Sequence, residues 1–114
     1  MLQGTYIEFN SAFGASFEGF AIEEIIRHYD SYDNSYFWGT HNGAELDLVI
    51  EKGTKKIGFE IKYTDHPKIT KSMYIALESL NLDYLYLIIP GNENFKMSDK
   101  VSCLGIGNLN EAII

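Results

Sequence analysis

Residues 43–62 have the sequence G-A-E-L-D-L-V-I-E-K-G-T-K-K-I-G-F-E-I-K, and this stretch decides the fold. Polar and apolar residues alternate over 45–51, which is the period of a β-strand with one buried face. Gly53 and Thr54 supply a two-residue turn, because glycine readily adopts the positive φ that tight hairpins need. Residues 56–63 return as a second strand, so the stretch predicts an antiparallel hairpin. The buried face of its first strand is expected to consist of Leu46, Leu48 and Ile50.

The turn fixes which residues of the hairpin are neighbours. With Gly53-Thr54 at its tip, Glu51 pairs with Lys56, and Asp47 lies across from Glu60. Side chains alternate between the two faces of a strand, so Lys62 shares the face of Glu60. The predicted register therefore brings two carboxylates together, about 5 Å apart between Cβ atoms, with a lysine one step along the strand.

This trio has a chemical and a purely structural interpretation. Two adjacent carboxylates repel each other unless a cation joins them, and Mg²⁺ or Mn²⁺ takes such oxygen ligands while keeping water for a substrate. Lys62 would then orient or deprotonate an attacking water, which is the chemistry of metal-assisted phosphodiester hydrolysis. In the alternative interpretation the face is merely solvated, and Lys62 forms ordinary ion pairs with Asp47 and Glu60.

A helix predicted from Phe13 to Tyr29 adds a third acid. Glu18 lies near the centre of its apolar face, where a charged side chain needs a partner because unpaired buried charge is costly. We therefore expect the helix to pack on the sheet and to aim Glu18 at Asp47 and Glu60. The apolar face comprises Phe13, Phe17, Phe20, Ala21, Ile22, Ile25, Ile26 and Tyr29.

The remaining segments complete an α/β domain. Their order is α-β-β-β-α-β, with a further strand allowed, and this order predicts a mixed central sheet flanked by helices. The run of apolar residues at 84–89 fits a strand buried on both faces. The other segments are a strand at 35–40, a helix at 68–80, a strand at 100–104 and a short helix at 109–114.

The charge of the chain limits its affinity for nucleic acid. The formal net charge is −7 over 114 residues, whereas proteins that bind duplex DNA tightly are usually basic. The lysines are concentrated in the middle of the sequence, which leaves two interpretations, a local positive edge or ordinary solvated lysines. These lysines are Lys52, Lys55, Lys56, Lys62, Lys68 and Lys71.

Composition also indicates the compartment and the number of domains. The single cysteine, Cys103, excludes an internal disulfide and is typical of a reducing compartment. The first ten residues lack the features of a signal peptide, and no apolar run reaches the roughly 20 residues of a membrane span. We therefore expect a cytoplasmic protein without a membrane segment, folded as one domain over residues 1–114 with a core at about 13–90.

Several motifs together resemble a known superfamily. F-E-G-F (17–20) opens a helix, Y-F-W-G-T (36–40) follows, and then come G-A-E-L-D-L-V-I (43–50) and G-F-E-I-K (58–62). This order resembles the PD-(D/E)xK nucleases, whose fold is restriction-endonuclease-like. The likeness is greatest to the C-terminal domain of unknown function carried by many bacterial and archaeal AAA-type ATPases.

The resemblance implies a role for each site residue. Asp47, Glu60 and Lys62 match the catalytic residues of the superfamily, and Glu18 matches a helix glutamate that completes a metal site with Asp47 and Glu60. Glu45 stands two residues before Asp47, either as a further acid beside the metal ligands or as an exposed strand residue. The implied cofactor is Mg²⁺ or Mn²⁺, and the implied substrate is DNA or RNA.

The sequence also departs from the pattern. Leu46 stands where the superfamily takes its name from a proline, and the chain has no G-x-x-x-x-G-K-[ST] phosphate loop, so ATP binding by that route is not expected. Domains of this kind also occur as inactive modules. The alternative function is therefore docking to an ATPase domain or to a second copy, through exposed aromatics such as Tyr36, Phe37 and Trp38.

Overall fold

The computed structural model describes the backbone of residues 6–112 and the side chains of residues 14–112. The helices are α1 (Tyr6–His28) and α2 (Lys71–Ser79), followed near the end by a 3₁₀ helix (Ile106–Glu111). The strands are β1 (Ser35–Gly39), β2 (Glu45–Lys52), β3 (Lys55–Ile61), β4 (Tyr84–Ile89), β5 (Asn94–Ser98) and β6 (Val101–Gly105).

Within residues 6–112 the strands form a six-stranded mixed sheet in the order β1-β2-β3-β4-β6-β5. The first three strands pair antiparallel, β3 pairs parallel with β4, and β4 pairs parallel with β6. Helix α2 connects the parallel strands β3 and β4, as a crossover must. The predicted mixed sheet with flanking helices is confirmed.

The hairpin β2–β3 has the predicted register. Leu48 is opposite Phe59 and Glu51 is opposite Lys56, while Gly53 takes the turn with a φ of 65°. The turn residues therefore determine the pairing. Ile57, Phe59 and Ile61 of β3 lie on the α1 side together, as the strand period assigns them.

The sheet is covered by a helix on each face. Ala21 and Ile25 of α1 pack on one face, and Met73 and Ala76 of α2 pack on the other. Strand β4 serves both sides, so it is buried on both faces as predicted. Its Tyr86 and Ile88 belong to the α1 side, and its Leu85 and Leu87 belong to the α2 side.

The buried face predicted for β2 is wrong at one residue. Leu48 and Ile50 pack on the α1 side as expected, but Leu46 packs on the α2 side. The cause is an extra residue in β2. Tyr36 is opposite Val49 and Trp38 is opposite Leu46, so two steps on β1 match three on β2. Such a β-bulge interrupts the alternation of side chains between faces.

The helices differ from their predicted limits. Helix α1 begins at Tyr6 rather than at residue 13, and Phe20 is 52% exposed although it was expected on the buried face; Phe13 lies outside the described side chains. Helix α2 begins at Lys71 rather than at residue 68, because the Thr70 hydroxyl accepts a hydrogen bond from the Met73 N–H and caps the helix.

The C-terminal part contains a strand that the sequence did not predict. The expected last strand is β6, and β5 precedes it as an antiparallel neighbour at the edge of the sheet. A 3₁₀ helix replaces the helix predicted at 109–114, of which residues 113–114 lie outside the described part. None of the helices in the described part is both long and apolar enough to cross a membrane.

We expect alanine substitutions at two glycines of the sheet to destabilise the fold by different amounts. A Cβ at Gly105 would lie 2.3 Å from the carbonyl oxygen of Gly91, whereas a Cβ at Gly58 would lie 2.6 Å from the end of the Leu46 side chain. A side chain can rotate away more easily than backbone can move. We expect Gly105→Ala to lower the free energy of unfolding by about 3 kcal/mol and Gly58→Ala by about 1 kcal/mol. Urea denaturation of both variants checks this order, and equal losses would contradict it.

Candidate functional site

All five site residues predicted from the sequence line one open pocket of about 350 Å³. The hairpin contributes most of them, α1 contributes Glu18, and the start of α2 contributes two hydroxyl residues. The residues that line this acidic pocket are Glu18, Gly43, Glu45, Asp47, Glu60, Ile61, Lys62, Thr70 and Ser72.

Asp47 and Glu60 are joined by hydrogen bonds between backbone and side chain. The Asp47 N–H donates to Oε1 of Glu60 at 3.3 Å, and the Ile61 N–H donates to Oδ2 of Asp47 at 2.8 Å. Each carboxylate thus accepts the hydrogen bond that a strand carbonyl would otherwise accept. Both side chains are half-buried, so the end of the hairpin holds two acids close together at low exposure to water.

The bulge in β2 falls next to Asp47. The extra residue falls between Leu46 and Val49, which are fixed on the α2 side of the sheet. Bulges reorient the side chains beside them and occur often next to active sites. Without the extra residue, Asp47 and Leu46 would keep the regular alternation that the sequence suggested.

Glu18 reaches the same acids from helix α1. Ala21 and Ile25, three and seven positions further along, are fully buried against the sheet, so the same face of the helix carries Glu18 to the pocket. A hydrogen bond to Asp47 is the largest cause that raises the pKa of Glu18, followed by desolvation and the negative charge of Asp47. The expected approach of Glu18 to the Asp47 carboxyl is therefore present.

The environment of Glu60 favours its protonated form. Burial, and next the negative charge of Asp47, raise the pKa of Glu60 to about 7. The positive charge of Lys62 and the hydrogen bond from the Asp47 N–H act in the opposite direction and only partly compensate. Near neutral pH this pocket therefore lacks the positive charge that would keep all its carboxylates ionised.

Lys62 lies at the rim of the pocket and is exposed. The backbone N–H of Lys62 donates to the Ile88 carbonyl at 2.9 Å, which extends the pairing of β3 with β4 and holds the residue in place. Ion pairs among the described side chains join Arg27 with Glu24, Lys56 with Glu51 and His66 with Asp65, and Lys62 takes part in none of them. Among the described side chains, Lys62 therefore does not form the ion pairs with Asp47 and Glu60 that the alternative interpretation expects.

Glu45 has a weaker influence than its neighbours. It lines the pocket and is exposed, and its negative charge is the smallest of the causes that raise the pKa of Glu18. It adds to the negative potential of the site without contacting the other acids through a hydrogen bond.

The carboxylate oxygens of the pocket are suitable ligands for a hard divalent cation, but their present spacing does not form a coordination site. Carboxylate oxygens are the ligands that Mg²⁺ and Mn²⁺ prefer, and Glu18, Asp47 and Glu60 all face one pocket. Among the described residues, however, no group of three His, Cys, Asp or Glu side chains is close enough to hold a metal ion. Asp47 accepts a hydrogen bond from the Ile61 N–H, so the carboxylates would have to rotate to share a cation.

Thr70 and Ser72 belong to the pocket although the sequence analysis did not select them. The signal was present, since threonine before an apolar periodic segment is typical of a helix N-cap. The predicted start of α2 at residue 68 placed Thr70 inside the helix and concealed it. Cys103 has no such role, because burial raises the pKa of its thiol to about 11 and the side chain is fully buried.

These features define a small mixed α/β domain with an acidic pocket that carries one lysine. The chain belongs to the family described as Domain of unknown function (DUF4143), which matches residues 13–109. Uncharacterized proteins of Mycobacterium bovis and Mycobacterium tuberculosis are each 41% identical to it over 95 residues, which is 83% of the chain. The chain spans about a fifth of the length of these relatives (21%). No solved structure matches it.

The hydrogen bond from Ile61 to Asp47 predicts a stability difference between two variants. Asp47→Ala leaves the buried Ile61 N–H without its acceptor, which typically costs about 1–3 kcal/mol. Asp47→Asn keeps a side-chain oxygen at the same place and is expected to retain most of the stability. Urea denaturation of both variants measures the difference, and equal stability of the two would show that this hydrogen bond contributes little.

The raised pKa of Glu60 predicts how stability depends on pH. A carboxyl group with a higher pKa in the folded chain holds its proton more tightly when folded, so the free energy of unfolding falls as pH rises from 4.5 toward about 7. Glu60→Gln removes that loss, worth ~1 kcal/mol after allowance for solvent screening. At pH 8 without metal, its Tm should exceed that of the wild type by about 4 °C.

The same variant supplies its own control at low pH. At pH 4.5 Glu60 is largely protonated in the folded chain, so wild type and Glu60→Gln should melt at nearly the same temperature. Glu78→Gln, a matched change at an exposed position on α2, should leave both melting temperatures unaltered. A gain for Glu60→Gln that is equal at pH 4.5 and pH 8 would refute the assignment.

Proposed function

We propose that this chain is a nuclease-like domain that binds Mg²⁺ or Mn²⁺ at Glu18, Asp47 and Glu60 and hydrolyses nucleic-acid phosphodiesters. The observation that carries the proposal is the acidic pocket itself, where four carboxylates and one lysine meet. A structural ion pair would balance these charges, whereas here the pKa of Glu60 rises to about 7. A divalent cation would relieve this repulsion and allow a negative phosphate to enter.

The arrangement of elements supports a restriction-endonuclease-like fold and membership of the PD-(D/E)xK superfamily. The segment from α1 to β4 has the expected order α-β-β-β-α-β. The acids and the lysine lie at the end of the hairpin β2–β3, where β3 also pairs parallel with β4. The family match covers residues 13–109, which is α1 from residue 13 onward and all of the elements that follow it up to β4.

Each residue of the pocket has a task in this reaction. The bound cation supplies Lewis-acid stabilisation of the negative charge on phosphate. Glu18, Asp47 and Glu60 would hold and orient that cation, and Glu45 would strengthen the negative potential that attracts it. Lys62 donates hydrogen bonds to the attacking water and offsets charge on a phosphate oxygen. The water oxygen bonds to phosphorus, the phosphorus bond to the leaving oxygen breaks, and the proton of the water passes to that oxygen.

A second candidate function rests on exposed aromatic side chains at the edge of the sheet. Phe37 of the edge strand β1 is 61% exposed, and Tyr32 in the preceding loop is 66% exposed. Trp38, expected in the same patch, is instead partly buried on the α2 side. The candidate function is docking to an ATPase domain or to a second copy, with the acidic pocket serving no catalysis.

The deciding experiment is cleavage of supercoiled plasmid and single-stranded DNA in Mn²⁺ by the wild type and two variants. Asp47→Asn keeps the acceptor for Ile61 and so preserves the fold, while Lys62→Ala removes the water-orienting group. Each should reduce the rate by about 100-fold or more. Exposed matched controls, Asp99→Asn and Lys55→Ala, should cleave like the wild type.

The outcomes separate the two functions. Loss of cleavage in both site variants with retention in both controls establishes a metal-dependent nuclease at this pocket. Cleavage that survives in Asp47→Asn and Lys62→Ala comes from another source and refutes the catalytic role. No cleavage by the wild type, together with Phe37-dependent self-association in sedimentation, would favour the docking function instead.

A further inference from the structure

A second pocket of about 470 Å³ adjoins the acidic pocket, and Gly43 and Ser72 line both. Its size falls in the range of about 300–1,000 Å³ that is typical of small-molecule sites. It lies between the β1–β2 turn and α2. This flanking pocket is lined by Thr40, Asn42, Gly43, Ala44, Lys71, Ser72, Ile75 and Ser79.

The flanking pocket differs from the acidic pocket in charge. Among the described residues that line it, Lys71 is the charged one and none is acidic. Lys71 is exposed and takes part in none of the ion pairs between described side chains. Its ammonium group is therefore available to an anionic ligand, and the amide of Asn42 and the hydroxyl of Ser72 are suitable hydrogen-bond donors.

The pocket that begins at the residue after Lys62 in the sequence has the opposite character. It measures about 520 Å³, starts at Tyr63 and is lined by two acids, Asp65 and Glu93, without a lysine or arginine. A phosphate there would be repelled, since like charges disfavour each other at short range. A phosphodiester strand that crosses Lys62 therefore continues more favourably toward Lys71.

We propose that the flanking pocket binds the nucleotide next to the scissile phosphate, with Lys71 contacting the neighbouring phosphate. Ala44 and Ile75 supply apolar contacts for its sugar or base. The inference rests on the proposed nuclease function and specifies its substrate. The substrate is a strand that extends on one side of the cleaved bond, and the domain contacts about two of its phosphates, through Lys62 and Lys71.

The test compares two substrates that differ in length. Bis(p-nitrophenyl) phosphate contains one phosphodiester and spans only the acidic pocket, whereas a single-stranded DNA hexanucleotide reaches the flanking pocket as well. We expect Lys71→Ala to reduce kcat/KM for the hexanucleotide about tenfold more than for bis(p-nitrophenyl) phosphate, mainly through KM. It should also make the salt dependence of hexanucleotide binding shallower by about 0.7 in a log–log plot.

Lys55→Ala is the matched control, because it also removes one exposed lysine charge. Lys55 lies at the hairpin turn, ~20 Å from Lys62 along β3. This variant should act like the wild type on both substrates. If Lys71→Ala equals the wild type on both, or slows both equally, the flanking pocket has no such role while the nuclease function stands. If the wild type hydrolyses neither substrate and does not bind the hexanucleotide, both proposals fail. Lys71-dependent binding without hydrolysis would support the pocket and refute the nuclease.

Discussion

The contact between Asp47 and Glu60 at the end of the hairpin is the constraint on which the rest of the site depends. These carboxylates accept hydrogen bonds from backbone N–H groups, the Ile61 N–H to Asp47 and the Asp47 N–H to Glu60. They therefore stabilise the sheet through these hydrogen bonds, while their negative charges repel each other. Helix α1 adds Glu18 to this pair, and its own position is set by Ala21 and Ile25 in the core. Packing on the α1 side thus determines the electrostatics of the pocket.

Much of this arrangement could be predicted from the sequence because its causes are local. Gly53 takes the turn, and the turn fixes the register as far as the pair of Leu48 with Phe59. Asp47 and Glu60 come next along these strands and are joined by a hydrogen bond. The helical period likewise placed Glu18 on the inner face of α1. The family of the chain is shown by its match over residues 13–109.

Other features depended on contacts that no local pattern encodes. The bulge in β2 arises from pairing with β1, so Leu46 changes faces although it alternates regularly in sequence. Strand β5 has a mostly polar sequence, N-F-K-M-S, and forms because β6 offers a neighbouring edge. The start of α2 was placed three residues early because the apolar pattern outweighed the cap at Thr70. Pairing partners and caps decide these details, and hydrophobic periodicity does not.

The two edges of the sheet are protected to different degrees against joining another strand. Edge strand β5 carries the exposed Lys96 at its centre, and its pairing shifts in register just after that residue. A charge at the centre of an edge strand discourages intermolecular pairing. The pairing of β1 also shifts in register, so the charge is what distinguishes the two edges. Edge strand β1, S-Y-F-W-G, has no charged residue of its own. Growth of the sheet in a concentrated solution or during folding therefore has a direction, since an added strand meets less resistance at β1 than at β5.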